Sequence, residues 1–387
     1  MQRSGQQWIL DNLLRTLGND VLFPGVDAFR VERGYKLADL QRTFSRIRSF
    51  RDSSKQWEKT ANRQEEIALT AEQYGHKVTA REAYFRAALY YTRAQWSIFE
   101  TNDRKRMLMD RCARAYDKVI EFHTDHIIER VEVPFGDTTI AGLLHLPKDV
   151  HGPVPCVLFT PGMDMTKEDY PDVNNAGLIK RGMAVLAIDG PGQGESHLRD
   201  LKVTLTNYEE AGAACVTYLR GRPDIDGERI AVFGVSMGSY WAPRIASHDR
   251  RIAACVGALG VFMQKNTIFN EAQPTFKRRY MYMAGLEDES EFDVMAKDMT
   301  MAGLGSKIAC PTLLVSGELD ELCPVEDAHE LFNELVCPKE LWVYEGEFHP
   351  LGGVISDALP RIYDWLSDAL NGRIPDSRAQ YEFIETA

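Results

Sequence analysis

The pentapeptide Gly234-Val235-Ser236-Met237-Gly238 follows an apolar run, Ile230–Phe233, and leads into a helical stretch, Tyr240–Ser247. No other feature constrains the chain as much. A strand that becomes a helix within five residues must turn sharply, and small residues beside Ser236 remove the side chains that would collide there. Such a turn holds Ser236 in strained geometry and points its hydroxyl out of the sheet. The helix N-terminus beneath it offers backbone N–H groups and a positive dipole end suited to an oxyanion.

The surrounding texture agrees with an α/β fold. His126–Val133 and Thr138–Leu146 read as paired strands around Phe135-Gly136-Asp137. Further short apolar runs follow at Cys156–Phe159, Ala184–Ile188, Ala253–Ala258, Thr312–Val315 and Leu341–Tyr344, most separated by helical segments. That alternation predicts an open, mainly parallel sheet covered on both faces. Residues 259–305 break the rhythm with methionine and aromatic side chains and no clear strand. An insertion over the C-terminal edge of the sheet is expected, where loops carry ligands in such folds.

Upstream of residue 126 the periodicity is helical. Trp8, Leu10, Leu13, Leu14 and Leu17 form one pattern, and Leu37, Leu40, Phe44 and Ile47 a second. The strongest stripe is Ala83, Ala87, Tyr90, Tyr91, Ala94 and Ile98, followed by Met107, Ala113, Tyr116 and Ile120. The chain therefore divides into a helical cap region at 1–125, an α/β unit at 126–371 and a polar tail at 372–387, loose or docked.

A serine hydroxyl is a weak nucleophile unless a base takes its proton. In this fold the order along the chain is serine, acid, histidine. Asp320 follows the strand Thr312–Val315, with Glu318 and Glu321 as competitors, and His349 lies just past the strand Leu341–Tyr344. For an oxyanion, one N–H should come from Met237 and the other from the loop after Cys156–Phe159. Pro161 has no N–H, which leaves Met163 as the better donor there. Asp189-Gly-Pro-Gly-Gln-Gly-Glu-Ser196 invites a dinucleotide reading, but its spacing fails that fingerprint. A tightly turned loop beside the site explains it better.

Composition narrows the function classes. With 45 Lys/Arg against 57 Asp/Glu the net charge is −12, which argues against nucleic acid as a partner. Residues 1–130 carry 23 basic against 18 acidic side chains, and the remainder 22 against 39. The two halves are thus expected to dock through charge as well as apolar surface. Seven cysteines without a paired or Cys/His pattern fit reduced thiols in a cytoplasmic protein, with no metal site. No leader pattern and no long apolar run are present, so neither secretion nor a membrane span is expected.

From 126 to about 370 the chain resembles an α/β-hydrolase. The loop Pro161–Glu168, the stretch Asp189–Ser196, the approach Ile308–Thr312 and the helical N-terminal part are similar to one group within it. That group holds 2,6-dihydroxypseudooxynicotine hydrolase and the fungal polyketide-shortening hydrolases. The resemblance implies a Ser236–His349–Asp320 triad, no cofactor, and hydrolysis of a carbon–carbon bond next to a ketone in an aromatic or polyketide-like small molecule. It also implies an acidic residue near the substrate after the nucleophile helix, for which Glu271 is the nearest acid. A carboxylesterase or thioesterase with the same residues is the alternative, and a noncatalytic binding protein a third. The N-terminal helices and the 259–305 insertion are expected to wall the pocket and select a flat aromatic ligand. Homodimerisation is a competing role for those helices.

Overall fold

The computed structural model describes residues 3–18 and 25–386. Its strands are β1 (Ile127–Phe135), β2 (Thr138–Leu146), β3 (Val154–Thr160), β4 (Ala184–Asp189), β5 (Ile225–Val235), β6 (Ala254–Ala258), β7 (Thr312–Gly317), β8 (Lys339–Tyr344) and β9 (Ala379–Ile384). Among the described residues they make one nine-stranded sheet in the order β1-β2-β4-β3-β5-β6-β7-β8-β9. β1 and β2 are an antiparallel hairpin whose turn places Gly136 at φ +54°. β2 also runs antiparallel to β4, and from β4 to β9 every pairing is parallel. β4, β6 and β7 are buried along their whole length, which is why they read as unbroken apolar runs rather than alternating ones.

Ahead of the sheet lie α1 (Gln7–Thr16), α2 (Val26–Val31), α3 (Leu37–Phe44), α4 (Asp52–Gln73), α5 (Lys77–Trp96) and α6 (Asp103–Phe122). Most of the stripe lies on α5, which has no wet face beyond its first turns, since every residue from Ala83 to Trp96 is buried. α4 covers one side of it with small and polar residues, among them Ser53, Thr60, Ala61, Gln64 and Ala68. Their core reaches into the sheet through Ile128 and Leu143. Charge ties the same surfaces together: Arg33 pairs with Asp169 at 2.9 Å and Arg93 with Asp164 at 2.5 Å.

Between and after the strands run α7 (Gly194–Leu198), α8 (Asn207–Arg220), α9 (Gly238–His248), α10 (Thr275–Ala284), α11 (Glu289–Lys297), α12 (Val325–Glu334) and α13 (Ile355–Leu370). α8, α9 and α12 cover one face of the sheet and α13 the other. α10 and α11 occupy the 259–305 stretch and are pinned by a cluster of Phe269, Tyr280 and Phe292 rings. The C-terminal segment is docked: β9 lies parallel to β8 and alternates between half-buried and exposed residues. No described helix is long and apolar enough to cross a membrane.

Candidate active site

β5 ends in Val235, α9 begins at Gly238, and Ser236 between them adopts φ +54° with its N–H donating to the Ala258 carbonyl at 3.0 Å. A Cβ on Gly234 would lie 1.9 Å from the Gly238 carbonyl oxygen, and one on Gly238 2.0 Å from that of Thr160. Only glycine fits either place. From this elbow the Ser236 Oγ stands 2.8 Å from His349 Nε2, and His349 Nδ1 stands 2.9 Å from Asp320 Oδ2.

The three acids after β7 take separate jobs. Asp320 is buried and turns Oδ2 to the imidazole, while its Oδ1 accepts the backbone N–H groups of Leu322 (2.9 Å) and Cys323 (2.8 Å). Glu321 accepts the His349 backbone N–H at 3.1 Å, and Glu318 binds the Gly346 N–H on the surface. With Nδ1–H donated to Asp320, Nε2 is left to accept from Ser236. Burial of His349 disfavours the imidazolium, but the charge and hydrogen bond of Asp320 outweigh it, and its pKa rises above the ordinary 6.5. Gly260 leaves room for this pair: at φ +101°, its Cβ would lie 2.8 Å from Asp320 Oδ2 and 2.9 Å from His349 Nδ1.

The loop after β3 lies against the serine, since a Cβ on Gly162 would come 3.2 Å from the Cβ of Ser236. The Gly162 N–H is taken by the Met165 sulfur at 3.3 Å. Its carbonyl accepts from Gln193 Nε2 at 2.9 Å and from the Met165 N–H at 3.1 Å. In a trans peptide the carbonyl and the next N–H point in opposite directions. Fixing the Gly162 oxygen therefore turns the Met163 N–H the other way. Among the described residues neither the Met163 nor the Met237 N–H has an acceptor. Gln193 is held in turn by Tyr208 Oη at 2.7 Å. Sequence reasoning placed the Asp189–Ser196 loop beside the site but missed Gln193; a lone amide in a glycine-rich loop carries no periodic or motif signal.

Ser236 and His349 open into a cavity beneath the N-terminal region. Phe44, Phe50, Trp57 and Trp96 of the N-terminal region face it, as do Ile268 and Phe276 of the 259–305 stretch. Glu271 does not. It is exposed at the end of the turn 267–271 and accepts from Asn266 Nδ2 at 2.6 Å. The expectation that it approaches the ligand is therefore corrected: the turn carries its apolar side inward and its acid outward, and Gln273 and Thr275 are the polar residues of that wall. Asp320, Cys323 and His349 also bring three potential metal donors within 4.8 Å of one another. Both imidazole nitrogens are already engaged, and burial pushes the Cys323 thiol well above its ordinary pKa, so the set is suited to a proton rather than a cation.

Residues 55–368 match the family described as Esterase FrsA-like. Hydrolase LUC6 of Fusarium sp is 27% identical over 368 residues, covering 82% of this chain and 87% of that protein. The 20-hydroxy-prefusarin hydrolase FUS2 of Gibberella moniliformis is 30% identical over 339 residues, 75% of this chain and 80% of its own length. The 2,6-dihydropseudooxynicotine hydrolase of Paenarthrobacter nicotinovorans is 30% identical over 268 residues, 69% and 70% of the two chains. The crystal structure of the 2,6-dihydroxy-pseudo-oxynicotine hydrolase superposes with a TM-score of 0.79 at 24% identity, covering 91% of this chain and 98% of that one, a likeness of fold. With its parallel sheet, its serine elbow and its helical N-terminal region, this chain belongs to the FrsA-like esterase family of α/β-hydrolases.

Proposed function

We propose that this hydrolase uses Ser236, His349 and Asp320 to cleave a carbon–carbon bond next to a ketone in an aromatic or polyketide-like small molecule. The observation that carries the reading is the unbroken Ser236–His349–Asp320 hydrogen-bond chain at the floor of an aromatic-walled cavity. His349 Nε2 takes the Ser236 proton as Oγ adds to the ketone carbon, and Asp320 steadies the imidazolium. The resulting oxyanion rests on the Met163 and Met237 N–H groups. Collapse breaks the bond to the neighbouring carbon, and its electron pair passes into a second carbonyl or a phenol ring. His349 gives its proton to the departing fragment, and water then releases the acid from Ser236.

Relatives named as hydrolases of 20-hydroxy-prefusarin and of 2,6-dihydropseudooxynicotine support a substrate of this kind. The esterase description of the family favours a second reading, hydrolysis of a carboxylic ester or thioester by the same residues. A turnover screen of aryl 1,3-diketones beside p-nitrophenyl esters separates the two. Diketone turnover that disappears in Ser236→Ala is expected. Preference for the esters by orders of magnitude would move the assignment to the second reading.

A further inference from the structure

Arg30, on α2, lines the cavity that holds Ser236 and His349, yet only 7% of its surface is accessible. Its guanidinium donates a hydrogen bond to no acceptor among the described residues. Asp27 is its ion-pair partner at 3.7 Å, too far for a hydrogen bond. Its Nη1 is withdrawn from water without a hydrogen-bond acceptor, which is costly for a cationic donor. The guanidinium stacks instead on aromatic rings, 5.2 Å from the centroid of Phe44 and 6.0 Å from that of Trp57. Stacking uses the flat face and leaves the N–H edge for a ligand.

The charges around this ion pair leave a positive balance. Arg93 is matched by Asp164, whose remaining side-chain surface of 41% lies on the cavity lining. Arg279, buried behind the wall and close enough to feel Asp164 and Arg93, adds another cation whose Nε and Nη1 make no hydrogen bond among the described residues. The cap end of an otherwise aromatic cavity therefore carries three cations, Arg30, Arg93 and Arg279, against Asp27 and Asp164, and Arg30 is one that lines the cavity.

We propose that Arg30 is an oxyanion receptor in the ligand cavity, and that it takes a flat, conjugated molecule carrying an ionised oxygen, such as the enolate of a cyclic 1,3-dicarbonyl. The inference rests on this cavity being the substrate site. Arg30 acts in recognition and does not touch the Ser236 hydroxyl. Bidentate N–H contacts to a delocalised oxyanion suit its fork, and Phe44 and Trp57 supply rings beside which a flat ligand lies.

The test uses the full chain carrying Ser236→Ala, so that ligands bind without turnover. Calorimetry compares 4-hydroxy-6-phenyl-2-pyrone, an acidic enol ionised at neutral pH, with its neutral 4-methoxy ether. Biphenyl-4-carboxylate provides a carboxylate arm. The pyrone is expected to bind about 10- to 100-fold more tightly than the ether, and Arg30→Met added to Ser236→Ala is expected to abolish that difference, with Arg30→Lys retaining part of it. Arg30-dependent binding by the carboxylate alone would keep the receptor but assign it to acids rather than enolates. Equal affinity for pyrone and ether in Ser236→Ala overturns the proposal without any change at Arg30. So does equal weakening of both ligands by Arg30→Met. Fluorophosphonate labelling of the unaltered protein is read separately: its absence would sink the serine-hydrolase reading, whereas an anion preference would survive it.

Discussion

Replacing Gly260 by alanine should damage the His349–Asp320 pair without touching either residue. A Cβ at this position would lie 2.7 Å from Cys323 Sγ, 2.8 Å from Asp320 Oδ2 and 2.9 Å from His349 Nδ1. All three are closer than a methyl carbon tolerates, and two belong to the atoms that share a hydrogen bond of 2.9 Å. The backbone adds to the cost, because φ +101° suits glycine and costs alanine about 1–2 kcal/mol. Forcing the carboxylate and imidazole apart forfeits much of a charge-assisted hydrogen bond, about 1.5–3 kcal/mol. At 1.36 kcal/mol per tenfold, kcat should fall about 10- to 150-fold. Gly136→Ala serves as the control, since its φ is +54° and no atom lies within 4 Å of its added Cβ. It should lose only the backbone share of that stability and keep its kcat. Steady-state kinetics and melting curves of both variants decide the matter. A Gly260→Ala enzyme with kcat within about twofold of the parent, while Gly136→Ala behaves as stated, would mean the Cβ is absorbed elsewhere and the steric reasoning is wrong.

Other outcomes follow from the same geometry. Only neutral His349 accepts the serine proton, so kcat/KM should rise with pH through an apparent pKa above 6.5, and Asp320→Asn should move that limb to lower pH. A folded-state pKa above the unfolded one also means that protonated His349 stabilises the fold below about pH 6.5, a contribution lost as pH rises through the folded value; melting curves of parent and His349→Gln should converge above it. Gln193→Leu frees one hold on the Gly162 carbonyl and should lower kcat about 10-fold with little change in KM; a rise in KM alone would make Gln193 a binding residue. Phe50→Ala removes a wall ring packed on Trp96 at 5.6 Å and should raise KM for an aryl ketone several-fold more than for p-nitrophenyl acetate, as initial rates would reveal.

Much of the sheet was legible because buried parallel strands have little choice but to be apolar. Cys156–Phe159 and Thr312–Val315 announce themselves, and the positions just past them locate Met163 and Asp320. β9 hides for the opposite reason: as an edge strand it buries neither face well, so Ala379–Ile384 reads as tail. α4 hides too. Apart from Trp57, its inward residues are small or polar, among them Ser53, Thr60, Ala61, Gln64 and Ala68, which allow close packing against α5. At the site, the serine elbow and the order serine, acid, histidine were readable from local sequence. Gln193, Gly260 and Arg30 were not, because each owes its place to partners distant along the chain. Glu271 shows the converse error: proximity in sequence to the right wall does not decide which side of a turn an acid occupies.

The absence of a wet face on α5 bears on how ligands come and go. A lid that swings must expose one of its surfaces to water and recover it at modest cost. Peeling α5 from its neighbours would hydrate Phe85, Leu89, Tyr90 and Tyr91, each fully buried. At about 1.5–3 kcal/mol per side chain, that approaches the whole stability of a typical domain. Traffic to Ser236 therefore leaves α5 standing as a fixed part of the roof. For anyone seeking to alter what this enzyme accepts, exchanging the roof between relatives would tear the common core, whereas single changes at its inner rings leave the frame intact.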